Sequence, residues 1–196
     1  MNARCFSSNR ALLGAITGLG LIASPAALAQ QAPAQPAPPC SAEQHDDFDF
    51  WVGTWNVYAP GGGPYQGVNL IEKVNGGCLI TEHWQGAQGS VGDSMNYYDP
   101  FAEAWRQVWV SAGAIIDYTG GLNEDGAMEL TGEIFYPANG ARAPFRGIWT
   151  AQADGTVRQH FEQQNPEGEW GVWFTGIYVR QDDDPRAAEA EEARGG

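Results

Sequence analysis

The sequence predicts an all-β protein, an antiparallel up-and-down β-barrel of about ten strands, on two observations and one physical constraint. Short apolar or alternating runs recur between residues 50 and 180, at strand length and without a helical period. The segments between them carry Asn-Gly, Asp-Gly and Gly-Gly pairs, which accept the positive φ of tight hairpins and so join neighbours antiparallel. A sheet made of successive hairpins has two unpaired edges unless it closes on itself, and closure into a barrel removes them.

Taken in order, residues 1–29 read as a secretory signal peptide. Arg4 and Arg10 precede an uncharged apolar run that closes on Ala27-Leu28-Ala29, so cleavage is expected near Ala29. Gly14, Gly18, Gly20 and Pro25 interrupt the run and no stop-transfer pattern follows it, which argues against a retained membrane anchor. Residues 30–39, rich in Gln, Ala and Pro, form an extended linker that cannot pack a core. The barrel domain spans 40–180, with one helical turn expected over 42–49. Its strands are predicted at 50–58, 65–74, 78–85, 91–98, 105–111, 114–119, 127–135, 144–152, 156–164 and 170–180. Residues 181–196 are predicted as an acidic disordered tail, with some helix in its Ala- and Glu-rich half.

Charge narrows the partners. The leader holds two of the ten basic residues and none of the 24 acids, which leaves eight basic against 24 acidic residues, a formal charge of −16. Such a surface repels nucleic acid and anionic lipid, so neither nucleic-acid binding nor stable membrane insertion is expected. Cleavage also removes Cys5, and the remaining Cys40 and Cys78 most simply form one disulfide in an exported chain. Neither cysteine has CxxC or CxxH spacing, so redox and metal roles have less support.

Gly53-Thr54-Trp55 on the first strand, after a short acidic turn, resembles the G-x-W signature of lipocalins and other calycins. The resemblance implies that Trp55 plugs the closed end of the barrel and that Arg180, at the end of the last strand, lies across its ring. A closer resemblance runs through residues 40–180. It is carried by CSAEQHDDFDFWVGTWNV from Cys40, GGCLITEHW from Gly76, SMNYYDP from Ser94 and WRQVWV from Trp105, then by RGIWT from Arg146, DGTVRQHFE from Asp154 and FTGIYVR from Phe174. These pieces are similar to a family of exported bacterial lipocalin-like proteins of unknown function. The family implies a calycin fold and a periplasmic or secreted location, and it implies no activity.

The candidate site residues come from strand alternation. Ile80, Glu82 and Trp84 share one face of the third strand. If that face is inward, desolvation would raise the Glu82 pKa and make it a candidate catalytic acid or base. The alternative is a structural Glu paired with Arg106, Arg146 or Arg158. Trp84, Trp105, Trp109, Trp149 and Trp173 either line a cavity or fill a solid core, and Asn69, Asn96, Tyr98, Gln107 and Gln159 are neutral polar residues within strands. His45, His83 and His160 have neither His-x-His nor HExxH spacing, so no metal site is expected. His160 falls where haem-binding relatives among small barrels carry their iron ligand, yet alternation with Val157 and Phe161 turns it outward, and no cofactor is expected. There is no G-x-S-x-G elbow, and the Gly61-Gly62-Gly63 run lacks the helix and lysine of a phosphate loop.

The expected function is binding of a small apolar or aromatic molecule, neutral or cationic, inside the barrel. Trp84, Trp109 and Trp173 would supply apolar contact, with Glu82, Asn96 and Gln107 orienting the ligand. Two alternatives stay open at this level. One is a barrel enzyme of isomerase, hydrolase or cyclase type using Glu82; the other is an envelope protein-interaction module with a filled core.

Overall fold

The computed structural model describes residues 37–195, so the leader and most of the linker expected over 1–39 lie outside it. Ten strands follow one another: β1 Gly53–Tyr58, β2 Tyr65–Val74, β3 Leu79–Gly86, β4 Val91–Asp99, β5 Ala104–Ser111, β6 Ile115–Leu122, β7 Met128–Tyr136, β8 Ala141–Ala151, β9 Val157–Gln164 and β10 Trp170–Arg180. Each pairs antiparallel with its neighbours in the chain, and β1 pairs with β10 to close the barrel. The fold class is the one the turn pattern predicts. The first strand starts at Gly53 rather than residue 50, because Asp49–Trp51 form a 3-10 turn that carries Trp51 beneath the barrel. A second such turn, Glu43–Asp46, occupies the predicted helical stretch.

Aromatic rings fill the closed end. Phe48, Trp51, Trp105 and Trp149 are buried there. Phe48 stacks on Trp51 at 4.9 Å between centroids and meets Trp149 edge-on at 5.2 Å. Trp55 seals the floor: its Nε1 donates to the Trp51 carbonyl at 2.8 Å, and the Arg180 guanidinium lies 4.3 Å above its ring centroid. Arg180 also donates to the Val52 carbonyl at 3.2 Å. Such a cation–π contact contributes roughly 0.5–2 kcal/mol. Gly53 is needed beside it, since its φ of +151° suits glycine and a Cβ there would collide with the guanidinium. The Gly and Trp of the G-x-W run therefore act as one device with Arg180.

The Cys40–Cys78 disulfide is formed and ties the segment before the floor turns to the start of β3. Closing a 38-residue separation contributes about 3–4 kcal/mol in the chain-entropy account. Among the described residues, no helix is long and apolar enough to cross a membrane.

The C-terminal segment has the helix expected in its Ala- and Glu-rich half, and it packs on the barrel instead of standing free. Gln181–Asp183 form a 3-10 turn and Ala187–Gly195 form helix α1, which lies on the outer face of the sheet. Asn56 and Tyr58 point outward from β1, and each donates to the Asp184 carboxylate at 2.6 Å. Arg186 stands 4.0 Å over the Tyr58 ring, and Ala190 is buried beside Tyr58 and Tyr65. Acidic composition favours a solvated end only where no partners are available. Here the outer face of β1 provides them. Burial works against the Asp184 charge, but hydrogen bonds from Tyr58 and Asn56, with Arg186 nearby, hold its pKa below the ordinary value.

Candidate functional site

Every second strand residue turns inward. Near the closed end these side chains fill the barrel, while towards the other end they leave a cavity of about 500 Å³. It opens beside the β3–β4 and β5–β6 hairpin loops, where Gly89, Ser90, Ala112 and Gly113 border it. The walls are aromatic, formed by Trp84, Trp109, Tyr136, Phe161, Trp173 and Phe174.

The chain places these rings by small local devices. The Trp109 indole lies directly on Gly92, where any Cβ would strike the ring. Trp84 donates from Nε1 to Ser90 Oγ at 3.2 Å and meets Phe174 edge-on at 6.2 Å. Pairing of β10 with β9 shifts between Val172 and Phe174, and the extra residue lets consecutive Trp173 and Phe174 both border the cavity. Trp173 remains 44 % exposed at the rim, and its Nε1 donates to the Tyr136 hydroxyl at 3.1 Å.

Polar side chains meet at the base in one continuous belt. The Tyr118 hydroxyl donates to Gln107 Oε1, and Gln107 Nε2 donates to Asn96 Oδ1. Asn96 Nδ2 donates to Ser94 Oγ at 2.9 Å and to the Ile80 carbonyl at 3.0 Å. Ser94 Oγ donates to Glu82 Oε2 at 2.6 Å, and Asn69 Nδ2 to Glu82 Oε1 at 2.7 Å. Asn69 also reaches the Tyr178 hydroxyl at 3.1 Å, which itself donates to Gln159 Oε1. Register explains much of this order, since Tyr118, Gln107 and Asn96 are successive cross-strand partners and Glu82 faces Ser94.

Glu82 is 3 % exposed, and burial pushes its carboxyl up to about 7, against the pull of the Ser94 and Asn69 hydrogen bonds. The arginine pairing offered as the alternative does not form. Arg106 pairs with Asp117 at 2.7 Å, and Arg146 pairs with Glu162 at 2.6 Å while covering the Trp170 ring. Both alternate with inward residues and so stand on the outer face, as does Arg158.

Of the residues singled out from sequence, Glu82, Trp84, Gln107, Trp109 and Trp173 come together on this cavity. Asn96 does not line it and sits in the belt behind Gln107 and Ser94. Asn69 and Gln159 join the belt, whereas Tyr98 packs against His45 and Trp105. Tyr118, Tyr178 and Ser94 were not singled out. Their signal was available only as cross-strand or diagonal proximity to inward polar residues, which requires the register. Trp105 and Trp149 belong to the filled end. His160 turns outward and bonds Thr175 Oγ1 at 2.8 Å. Among the described residues, no group of three or more His, Cys, Asp or Glu is gathered to hold a metal ion. The cavity shows that side chains do not fill the open half of the barrel.

Comparison of the chain with protein-family models and with curated proteins found no match. The closed ten-strand barrel is compatible with a lipocalin or calycin fold on its geometry.

Proposed function

We propose that this protein is exported and binds one small, mostly apolar or aromatic molecule, neutral or cationic, in the open half of its barrel. The observation that carries this reading is the cavity of about 500 Å³, with aromatic walls and polar groups collected at its base. That volume lies within the roughly 300–1,000 Å³ of small-ligand sites, and the division into apolar wall and few polar groups is what such sites use. The leader-like sequence and the Cys40–Cys78 bond support export, since disulfides persist in oxidising compartments. The excess of acids over bases disfavours anionic ligands.

Titration of the purified protein with the neutral fluorescent probe N-phenyl-1-naphthylamine tests the reading. Saturable uptake of one probe per chain is expected. Gly113→Trp should weaken uptake about tenfold or more without altering the circular dichroism. That position borders the cavity, and a Cβ on it meets only the Ser111 hydroxyl, at 4.0 Å. Absence of uptake, or uptake indifferent to this substitution, would count against an interior site.

A second reading is favoured by one observation, a Glu82 carboxyl that titrates near neutrality beside an open cavity, as a general acid or base does. In that reading the barrel is an enzyme of isomerase, hydrolase or cyclase type. Native mass spectrometry of retained molecules before and after incubation separates the two. Conversion that Glu82→Gln abolishes would support catalysis, and recovery of an unchanged molecule would support carriage alone.

A further inference from the structure

We infer that Glu82 seats an organic ammonium group, so that the ligand is a small molecule with an apolar or aromatic body and one protonated amine, bound amine first. This rests on the cavity being the binding site, as proposed above, and specifies what it takes.

The argument starts from charge. Among the described residues, Glu82 is the only one bearing a formal charge at the cavity lining. Lys73 shares the inward face of β2 but stands at the closed rim, tied to Asp46 and Asp49 at 2.6 Å each. A buried carboxylate is costly without a paired cation. No described cation faces Glu82, so a bound ligand is the natural source of one.

Donor supply points the same way. A carboxylate offers about four acceptor positions. Glu82 uses one on each oxygen, for Ser94 and Asn69. Asn69 Oδ1 is a further buried acceptor without a hydrogen-bond partner, on the side chain that holds Glu82. The neighbouring amide oxygens of Gln107 and Gln159 already accept from Tyr118 and Tyr178. Spare acceptor capacity therefore rests on Glu82 itself, which lines the cavity, and on Asn69 in the belt behind it. An ammonium brings three donors and a positive charge, an alcohol brings one donor and no charge, and a carboxylate ligand would be repelled. The aromatic walls add to the preference, because ring faces attract cations.

The groups facing Glu82 define its pH response. Asn69 approaches from β2 and Ser94 from β4. Tyr118 on β6 and Tyr178 on β10 interact with it electrostatically, and burial raises both phenols well above their ordinary value, so they remain neutral. Asp93 and His83 act from the outer face, the first raising and the second lowering the Glu82 pKa. Burial pushes the Glu82 carboxyl up to about 7. A cation that binds only the ionised form should therefore bind more tightly as pH rises towards that value, and evenly above it.

Calorimetric titration with three probes of one shape, 4-phenylbutylamine, 4-phenylbutan-1-ol and 4-phenylbutanoate, tests the inference on the purified protein. At pH 8 the amine should bind about tenfold or more tightly than the alcohol, with the butanoate weakest. Between pH 5.5 and 7 the amine affinity should rise by up to about tenfold per unit, while the alcohol affinity stays level. Glu82→Gln should abolish the preference for the amine and preserve the alcohol affinity. The comparison in the unmodified protein stands whether or not that variant folds. Equal affinity for amine and alcohol, or preference for the butanoate, overturns the ammonium reading and leaves the cavity reading intact. Failure of all three, together with exclusion of N-phenyl-1-naphthylamine, overturns both.

Discussion

Replacing Trp149 by alanine is expected to lower the stability of the barrel by about 3–5 kcal/mol, the range for deleting a large buried aromatic side chain. The indole is fully buried and sits where the filled end meets the cavity. Its centroid lies 5.2 Å from Phe48, 5.6 Å from Trp51, 6.0 Å from Tyr118 and 5.2 Å from Phe161. Removing it takes away apolar burial and opens a hole that joins the cavity above. A closed ladder of ten strands cannot contract around that hole without breaking pairings, so little of the loss should be recovered. The Trp149 Nε1 has no hydrogen-bond partner, so packing dominates the effect and Trp149→Phe should be much milder. Urea unfolding of the two variants checks this. A loss below about 1.5 kcal/mol for alanine would show that the filled end adapts more readily than a close-packed interior should.

The second large effect concerns pH. Burial raises the Glu82 carboxyl from 4.5 to about 7 in the folded protein. Across that interval the native state holds a proton that the unfolded chain has released. The stabilising contribution is therefore complete below about 4.5 and is lost as pH rises through about 7. At 1.36 kcal/mol per pKa unit, the total is on the order of 3 kcal/mol. Glu82→Gln mimics the neutral carboxyl. It should be more stable than the unmodified protein at pH 8, by about 1–3 kcal/mol, and near parity at pH 5. The gain is less than the full amount because Ser94, which donates to Glu82, must find another acceptor. Denaturant midpoints of the two proteins across pH 4.5–8 measure the difference and cancel the contributions of other acids. A variant less stable at pH 8 than at pH 5, relative to the unmodified protein, would reverse the assigned sign.

These two residues illustrate what the sequence makes legible. Hairpin signals such as Asn139-Gly140 and Asp154-Gly155 mark where strands end, so all ten predicted runs begin within three residues of an observed strand start, the largest differences falling at 50 and 144. Alternation likewise turns Ile80, Glu82 and Trp84 to a common face. It does not say how high along the barrel each side chain stands. Trp149 and Trp109 both point inward, yet one fills the floor and the other lines the cavity, and that height depends on the register of every strand between them. Trp173 required the β10 bulge, a single extra residue that resets alternation. Asn96 was assigned to the ligand because its residue type suits the role, but its register beside Gln107 keeps it one position behind the cavity. The tail escaped for a different reason. Asp184 finds its partner Asn56 at a separation of 128 residues, and nothing in the composition of residues 181–196 reveals a contact that distant.

That distance orders the way the molecule comes together. Nine of the ten strand pairings join consecutive strands, so hairpins from β1 to β10 can form progressively as the chain is supplied. The seam between β1 and β10 cannot, because its partners stand at opposite ends of the domain and their meeting must overcome the entropy of closing the whole loop. Until then β1 has a free edge, and Trp55 lacks the guanidinium that covers it. Asp184 and α1 follow β10 in the chain and contact the outer face of β1 and β2, so residues made after the final strand latch the first one in place.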